Sequence, residues 1–196
     1  MQAESEVAAI NMVYGAASAG KRVLTSSSSP GISLKSEGIS YIAGSDLPCV
    51  IINIVRGGPG LGGIQPAQSD YFQATKGGGH GDYKMIVLAP GSIQEIVDIT
   101  KDAFELGEKY RMPVMIMGDG MLGQMMEPIE FPEEGETVVP ERPYATNGTK
   151  MKREHNIINS LYIDPAELEK TVIERYKRYE LVAKNETRVE EYMTDD

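Results

Sequence analysis

The chain has 196 residues, of which 41% are hydrophobic, and this is enough for one domain with a core of its own. Its formal net charge is −10 and its sequence pI is about 4.8. A surface so acidic repels a phosphate backbone, which argues against a nucleic-acid-binding protein. One cysteine and two histidines provide neither an internal disulfide nor a metal-binding motif, and no apolar run has the length of a membrane span. We therefore expect a soluble, cytoplasmic protein that has no metal ligands of its own.

Helical and strand-like patterns alternate over the first 118 residues. In chain order they predict a helix over residues 4–19, a strand over 22–25, a helix over 32–43, a strand over 49–55, a short helix over 66–74, a strand over 85–88, a helix over 92–107 and a strand over 113–117. Such alternation is typical of an α/β domain with a doubly wound parallel sheet. Because that fold normally opens with a strand, the leading helix indicates that a strand lies upstream and that the sheet is N-terminally truncated.

The composition changes after Met126, and the chain is predicted to have three parts. Residues 1–126 form the α/β domain, which is incomplete at its N-terminus. Residues 127–163 are rich in proline and glutamate and are predicted to form an irregular linker or arm. Residues 164–193 form a C-terminal helical arm, because Asp164 supplies a cap and Pro165 stands at the first helical position.

Candidate functional residues follow the predicted strands. Ligands of a parallel α/β sheet bind outside the carboxyl ends of its strands, so the serine-rich run and the two glycine-rich loops should face one crevice. Arg56 ends a buried strand, and its guanidinium could hold a carboxylate or phosphate through two hydrogen bonds. An internal ion pair would explain Arg56 equally well. His80 lies between glycines, where it could contact a ligand or face solvent.

Gly58, Gly60 and Gly63 match the dinucleotide-binding pattern G-x-G-x-x-G. That motif should run directly into a helix, whereas residues 64–66 intervene and include a proline. A nicotinamide- or flavin-binding domain is therefore the weaker alternative.

A second motif covers residues 118–120, where Asp119 stands between two glycines. Thiamine-diphosphate enzymes carry such a motif, whose aspartate binds Mg²⁺ together with an asparagine further along the chain. Asn147 stands near the required spacing. The intervening segment lacks the helix and strand that would return Asn147 to the site, so a strand-end turn is favoured.

Glu6 and Cys49 have simple structural explanations. Glu6 begins the leading helix among apolar neighbours, where desolvation can tune the protonation of a carboxyl group. An acid stabilised by the helix dipole is the simpler interpretation from the residues alone. Cys49 lies in an apolar strand and is predicted to be a core residue.

Five separated segments together resemble a known family. They are residues 4–15, 26–34, 56–62, 68–70 and 79–82. In order and spacing they are similar to the subunit of thiamine-diphosphate-dependent 2-oxoacid:ferredoxin oxidoreductases that binds the aminopyrimidine ring of the cofactor. The resemblance covers essentially the whole chain, and the run TSSSSPGISLK is similar to the 2-oxoisovalerate branch.

This resemblance implies that a branched-chain 2-oxoacid is oxidised with coenzyme A to an acyl-CoA and CO₂ while ferredoxin is reduced. The C2 ylide of thiamine diphosphate attacks the oxo carbon, and a glutamate bonded to N1′ of the aminopyrimidine promotes loss of the C2 proton. Alignment on Gly15 puts Glu6 at that position. Arg56 aligns with the arginine that holds the substrate carboxylate in related enzymes.

The resemblance implies further contacts in the same crevice. Ser29, Pro30 and Gly31 form a wall near the pyrimidine ring and bind the cofactor, while His80 and Asp82 contribute to substrate binding. Thiamine diphosphate is shared with a partner subunit. Mg²⁺ and the iron–sulfur clusters are held by partner subunits.

The family carries a Tyr-Pro-Ile-Thr-Pro loop upstream of the glutamate and continues into a further domain beyond the last residue of this chain. The chain is therefore expected to be an internal fragment that is inactive alone. Three alternatives stay open: the same chemistry on 2-oxoglutarate, the same chemistry on another 2-oxoacid, and a non-catalytic assembly scaffold. Neither nucleic acid nor a membrane is an expected partner.

Overall fold

The fold is that of a computed structural model, which describes residues 1–131 and 140–189. The chain divides into two compact units, Met1–Ser160 and Leu161–Asp196. The elements of the first unit are α1 (Glu6–Ser18), β1 (Leu24–Ser27), α2 (Ser29–Gly44), β2 (Cys49–Gly57), β3 (Gly63–Pro66), α3 (Tyr71–Thr75), β4 (Ile86–Leu88), α4 (Ile93–Tyr110) and β5 (Pro113–Asp119).

Four strands form a parallel sheet in the order β1-β2-β5-β4. The β-branched run of β2 lies inside the sheet, where Ile51 is opposite Thr25 on one side and Met115 on the other. β3 folds back antiparallel onto the end of β2. Because the four strands run in one direction, their carboxyl ends share one edge of the sheet, and this edge carries the candidate site.

Helices cover both faces of the sheet. Ile10 of α1 and Ile39 of α2 share a buried cluster with Cys49 and Met115 on one face. On the other face, Gly107 of α4 approaches the sheet closely enough that a β-carbon there would be 3.4 Å from the side chain of Val114. The predicted doubly wound parallel sheet is therefore confirmed.

The short helix predicted over residues 66–74 is present only from Tyr71 onwards, and the prediction for residues 66–70 is wrong. The chain instead completes β3, turns, and forms the five-residue α3. The cause lies at Gly62, whose φ is 61° and where a β-carbon would be 1.5 Å from the Gly57 carbonyl oxygen. Glycine alone permits this close approach, and the chain reverses as a hairpin.

The second predicted helix begins earlier than expected. The sequence predicts it over residues 32–43, but α2 begins at Ser29 with Pro30 in its first turn. Proline is well accommodated there because its missing N–H would have no partner within the helix. Part of the serine-rich run is therefore helical.

The predicted irregular segment packs in part against the α/β domain. Ala145 is fully buried, and the Thr146 N–H donates to the Ser18 carbonyl at 2.8 Å. Arg142 forms an ion pair with Glu108 near the end of α4. These contacts lie at the edge where the strands begin, opposite the candidate site. Residues 132–139 of the predicted segment lie outside the described residues.

The second unit contains α5 (Pro165–Asn185). Asp164 caps it by accepting a hydrogen bond from the Ala166 N–H at 2.9 Å. The rings of Tyr176 and Tyr179 pack edge to face, with centroids 5.4 Å apart. Residues 190–193 of the predicted helix lie outside the described residues. Among the helices of the described ranges, none has the length and apolar character of a membrane span.

Candidate active site

Glu6 is the first residue of α1, at the edge where the strands end. Ser5 caps this helix by accepting a hydrogen bond from the Ala8 N–H at 3.1 Å. The half-buried side chain of Glu6 lies against Gly31, where a β-carbon would be 3.1 Å from Glu6 Oε1 and 1.9 Å from Ser27 Oγ. Glycine at position 31 therefore allows the Glu6 carboxyl group to contact the first turn of α2.

A buried cation lies one helical turn after Gly31. Lys35 is 1% exposed, and its ammonium group donates to Thr25 Oγ1 at 2.8 Å and to the Ser26 carbonyl at 2.9 Å. Burial lowers the pKa of the Lys35 amine, and the negative charge of Glu6 opposes that shift. The end of β1 is thus held by a desolvated amine within electrostatic range of Glu6.

The backbone N–H and the backbone carbonyl of Arg56 each form a hydrogen bond with a serine hydroxyl. Its N–H donates to Ser29 Oγ at 3.1 Å, and its carbonyl accepts from Ser69 Oγ at 3.1 Å. Nε of its guanidinium is buried and has no hydrogen-bond partner among the described residues. A buried N–H group without an acceptor is destabilising. This nitrogen is therefore suited to donate a hydrogen bond to an acceptor atom of a ligand.

The segment from Ser29 to Gly31 links these two positions. Gly31 contacts Glu6, while the hydroxyl of Ser29 accepts from the backbone of Arg56. Pro30 lies between them in the first turn of α2. The structure thus brings Glu6, this turn and Arg56 into one continuous cluster. Direct contact of Ser29, Pro30 and Gly31 with a cofactor stays a prediction.

His80 lies elsewhere. Its N–H donates to Ser40 Oγ at 3.1 Å, and its ring packs edge-on against Tyr41, with centroids 5.9 Å apart. Ser40 follows Ser29 by about three helical turns, a rise of about 16 Å along α2. Asp82 lies in the same loop, with a φ of 51°. The contacts of His80 with α2 are thus at Ser40 and Tyr41, away from the turn of Ser29 to Gly31. The substrate-binding roles of His80 and Asp82 stay predictions.

The glycine pattern at Gly58, Gly60 and Gly63 belongs to the β2–β3 hairpin. The chain continues from it into β3, and Arg56 is paired with Pro66 across the hairpin. A dinucleotide site needs a helix at this point, because the helix N-terminus binds the diphosphate. The fold therefore removes the basis of the nicotinamide alternative.

The second glycine motif is a strand-end turn, as the sequence favoured. Asp119 Oδ1 accepts from the N–H groups of Met121 and Leu122, both at 3.0 Å. Asn147 lies at the other edge of the sheet, where it accepts from Arg153 at 3.3 Å. Within residues 1–131 and 140–189, no three His, Cys, Asp or Glu side chains are arranged to hold a metal ion.

A cleft with a volume of 490 Å³ opens at the carboxyl ends of β2, β4 and β5. Val55, Val87, Met117 and Leu122 contribute apolar side chains to it, and Gln68, Thr75 and Asp119 add polar ones. The carboxylate of Asp119 makes the cleft less favourable for a negatively charged group than for a hydrocarbon group.

Two buried polar residues were missed by the sequence analysis. Asn53 is fully buried in β2, and its amide donates to Asp70 Oδ2 at 3.0 Å, which ties α3 to the sheet. A single amide within a β-branched run was the available signal. Lys35 was signalled by a charge at an apolar position of the helical stripe that includes Ile32 and Ile39.

Comparison with known proteins decides the family. Residues 1–194 match the family described as pyruvate flavodoxin/ferredoxin oxidoreductase, thiamine diP-binding. The chain belongs to this family. The resemblance inferred from the five sequence segments is therefore confirmed.

Relatives within the family are oxidoreductase subunits. The chain is 54% identical, over its full length, to the ketoisovalerate oxidoreductase subunit VorB of Methanothermobacter marburgensis, and it spans 55% of that subunit. It is 46% identical over 136 residues to the 2-oxoglutarate synthase subunit KorA of Methanothermobacter thermautotrophicus, which covers 68% of this chain and 35% of that subunit. The chain thus spans about half the length, or less, of these relatives.

A solved structure of the family has the same fold. It is a 2-oxoglutarate:ferredoxin oxidoreductase from Magnetococcus marinus with 2-oxoglutarate, coenzyme A and succinyl-CoA bound. The TM-score is 0.74 at 29% sequence identity, and the match covers 97% of this chain and 38% of that chain. The predicted α/β fold is confirmed by this likeness as well.

The residues of the cluster fit one edge of thiamine diphosphate. Glu6 offers a half-exposed carboxyl group for a ring nitrogen, and Gly31 leaves the neighbouring backbone free of a side chain. Among the described residues, this edge of the sheet lacks a cluster of acidic groups that would hold the metal of a diphosphate. The carboxyl group of Glu6 and the open backbone at Gly31 therefore fit a nitrogen-containing ring of the cofactor.

Proposed function

We propose that this chain provides the aminopyrimidine-binding side of an active site that oxidatively decarboxylates a branched-chain 2-oxoacid. The acyl group passes to coenzyme A, CO₂ leaves, and an electron pair is delivered to ferredoxin. The observation that carries the proposal is the continuous cluster from Glu6 through Gly31 and Ser29 to Arg56.

In this proposal Glu6 exchanges a proton with the ring nitrogen N1′ of the cofactor. A carboxyl group that is partly withdrawn from solvent is suited to share a proton with a nitrogen base. Thiamine diphosphate, when bound, supplies the nucleophilic carbon that the side chains of this chain lack. Gly31 keeps the approach to Glu6 open.

Arg56 binds the carboxylate of the 2-oxoacid. Its buried Nε lacks an acceptor among the described residues, and a carboxylate provides two oxygens in the geometry of the guanidinium. Held in this way, the substrate presents its oxo carbon in one orientation, and such positioning can supply a large part of a rate enhancement.

A branched-chain substrate is favoured over 2-oxoglutarate for two reasons. The match to the ketoisovalerate oxidoreductase subunit extends over the whole chain, whereas the match to the 2-oxoglutarate synthase subunit covers 68% of it. The cleft beside Val55 and Met117 is lined mainly by apolar side chains, and its one charged lining residue, Asp119, would repel a second carboxylate but not an isopropyl group.

The proposal extends to partner subunits in a hetero-oligomeric, cytoplasmic enzyme. These subunits provide the Mg²⁺ and diphosphate site and the iron–sulfur clusters. The relative of known function is itself named as a subunit. An assembly scaffold without catalytic residues is the competing proposal, and only the cluster at Glu6 and Arg56 argues against it.

The test is the reaction of the enzyme assembled from the full-length subunit and its partners. We expect reduction of ferredoxin that depends on thiamine diphosphate and coenzyme A and is faster with 2-oxoisovalerate than with 2-oxoglutarate. Preference for 2-oxoglutarate would overturn the substrate assignment. If Glu6→Gln and Arg56→Ala both react like wild type, the chain is a scaffold.

A further inference from the structure

The backbone of Arg56 lies just beyond the regular hydrogen bonding of the sheet. Pairing of β1 with β2 ends at Ser27 opposite Asn53, so β1 offers no acceptor for the Arg56 N–H. On the other side, Arg56 is opposite Pro66 of β3, which has no N–H to donate. The N–H and the carbonyl of Arg56 are instead bonded to side chains from outside the strands.

Two serine hydroxyls, from segments on either side of Arg56 in the sequence, supply those partners. Ser29 of α2 accepts from the Arg56 N–H at 3.1 Å, and Ser69, which precedes α3, donates to the Arg56 carbonyl at 3.1 Å. A register shift between Arg56 and Gly57 marks the point where regular strand pairing is lost. Without the two serine hydroxyls, regular strand pairing would not fix the backbone orientation of Arg56 at the end of β2.

We infer that Ser29 and Ser69 form a clamp on Arg56 and act as positioning residues for the carboxylate of the 2-oxoacid. This inference rests on the proposed function of Arg56. It assigns Ser29 a contact with the protein backbone in addition to its predicted place beside the cofactor. It gives Ser69, which has no assigned role, a part in substrate binding.

The clamp fixes the Cα atom of Arg56, from which the side chain extends, and in this way orients the guanidinium group. Arg56 Nε is already buried and without an acceptor among the described residues, so this atom of the half-buried side chain is withdrawn from solvent before substrate arrives. A displacement at such an anchor lengthens the hydrogen bonds from the guanidinium to the substrate carboxylate and so weakens substrate binding. Losing one serine hydroxyl should have only part of this effect, because the second serine still restrains the residue.

Ser69→Ala in the assembled enzyme is the decisive variant. We expect its affinity for 2-oxoisovalerate, measured by calorimetry without thiamine diphosphate, to fall by about tenfold, the usual value of one hydrogen bond. In the complete reaction, KM should rise by a similar factor while kcat changes by less than about twofold. Ser69→Thr, which keeps the hydroxyl, should restore the wild-type affinity.

Thr100→Ala is the matched control. Thr100 Oγ1 also donates to a backbone carbonyl, that of Ile96 at 2.6 Å, but it lies on α4 away from the clamp. This variant loses the same kind of bond and should leave substrate affinity unchanged. An equal loss of affinity in Thr100→Ala would mean that general destabilisation explains the effect, and would overturn the inference.

A double-mutant cycle separates the clamp from a purely structural role. Because Ser69 acts through Arg56, Ser69→Ala should have no further effect on affinity in an Arg56→Ala background. Wild-type affinity in Ser69→Ala, or an equal loss in both backgrounds, would overturn the inference and leave the proposed function standing. Unchanged affinity in Arg56→Ala would overturn the clamp and the role of Arg56 together, and absence of any 2-oxoacid turnover by the wild type would overturn the proposed function itself.

Discussion

The side chain of Glu6 lies beside Gly31, at the junction of the first turns of α1 and α2, where a side chain at position 31 would crowd it. A β-carbon at position 31 would be 3.0 Å from Glu6 Cγ and 1.9 Å from Ser27 Oγ. The absence of a side chain at one residue thus sets the position of the proposed acid on another helix. This contact can be tested without knowledge of the substrate.

Gly31→Ala should lower both the stability of the domain and its affinity for thiamine diphosphate. The added methyl group forces Ser27 to rotate and Glu6 to move, and overpacking of this kind costs about 1–3 kcal/mol. Gly15→Ala is the matched control, because a β-carbon at Gly15 meets nothing within 4 Å. In the interior of α1 that substitution should raise stability by up to about 1 kcal/mol. Denaturant unfolding and cofactor titration measure both effects, and a Gly31→Ala variant with wild-type values of each would contradict the contact.

The buried amine of Lys35 should make stability depend on pH in a defined direction. Its pKa in the folded chain is lowered by burial, and the negative charge of Glu6 offsets this in part. Between the lowered pKa and the ordinary value of 10.5, the unfolded chain binds more protons than the folded chain. The contribution of Lys35 to the free energy of unfolding therefore becomes more favourable as the pH rises through that window.

Lys35→Met removes this dependence while keeping a side chain of similar length. We expect the wild type to gain stability relative to Lys35→Met as the pH rises towards 10.5, and the two to run parallel at lower pH. Unfolding by urea at a series of pH values measures the difference. A difference that is constant over the whole alkaline range would mean that the amine is not desolvated.

Cys49 should have the opposite effect. Burial raises the pKa of its thiol to about 12, from an ordinary value of 9.0. Between these values the folded chain binds more protons than the unfolded chain, so stability is lost as the pH rises. Relative to Cys49→Ala, the wild type should lose about 1.4 kcal/mol per pH unit above pH 9. Parallel unfolding curves for the two proteins between pH 8 and pH 10.5 would contradict the burial of this thiol.

The layout of the sheet could be predicted from the sequence because it depends on periodicity. The run from Cys49 to Val55 is mostly apolar and rich in β-branched residues, as buried parallel strands are. The helix α4 is amphipathic, with one apolar face. These patterns result from the burial of one or both faces of an element, so they can be recognised in the amino-acid sequence. Glu6 and Arg56 were found by resemblance to a family, since the residues alone left a helix-start acid and an ion pair open.

The rest depends on contacts between distant residues. The β2–β3 hairpin was missed because β3 is only four residues long, Gly63–Pro66, too short for a periodic pattern, and its turn depends on the close approach of Gly62 to Gly57. The hydrogen bond between Ser69 and Arg56 is made by a single hydroxyl group, and such a contact leaves no periodic pattern in the sequence. The hydrogen bond between His80 and Ser40 likewise joins residues that are 40 positions apart in the sequence.

The proposed function depends on a proton shared between Glu6 and bound thiamine diphosphate. The most direct measurement is the rate at which the C2 hydrogen of the bound cofactor exchanges with solvent deuterium in the assembled enzyme, without 2-oxoacid. Glu6→Gln should slow this exchange by about a hundredfold or more, because general acid–base catalysis by one carboxyl group is lost. Glu4→Gln, two residues upstream and exposed, should exchange at the wild-type rate. Wild-type exchange in Glu6→Gln would contradict the account.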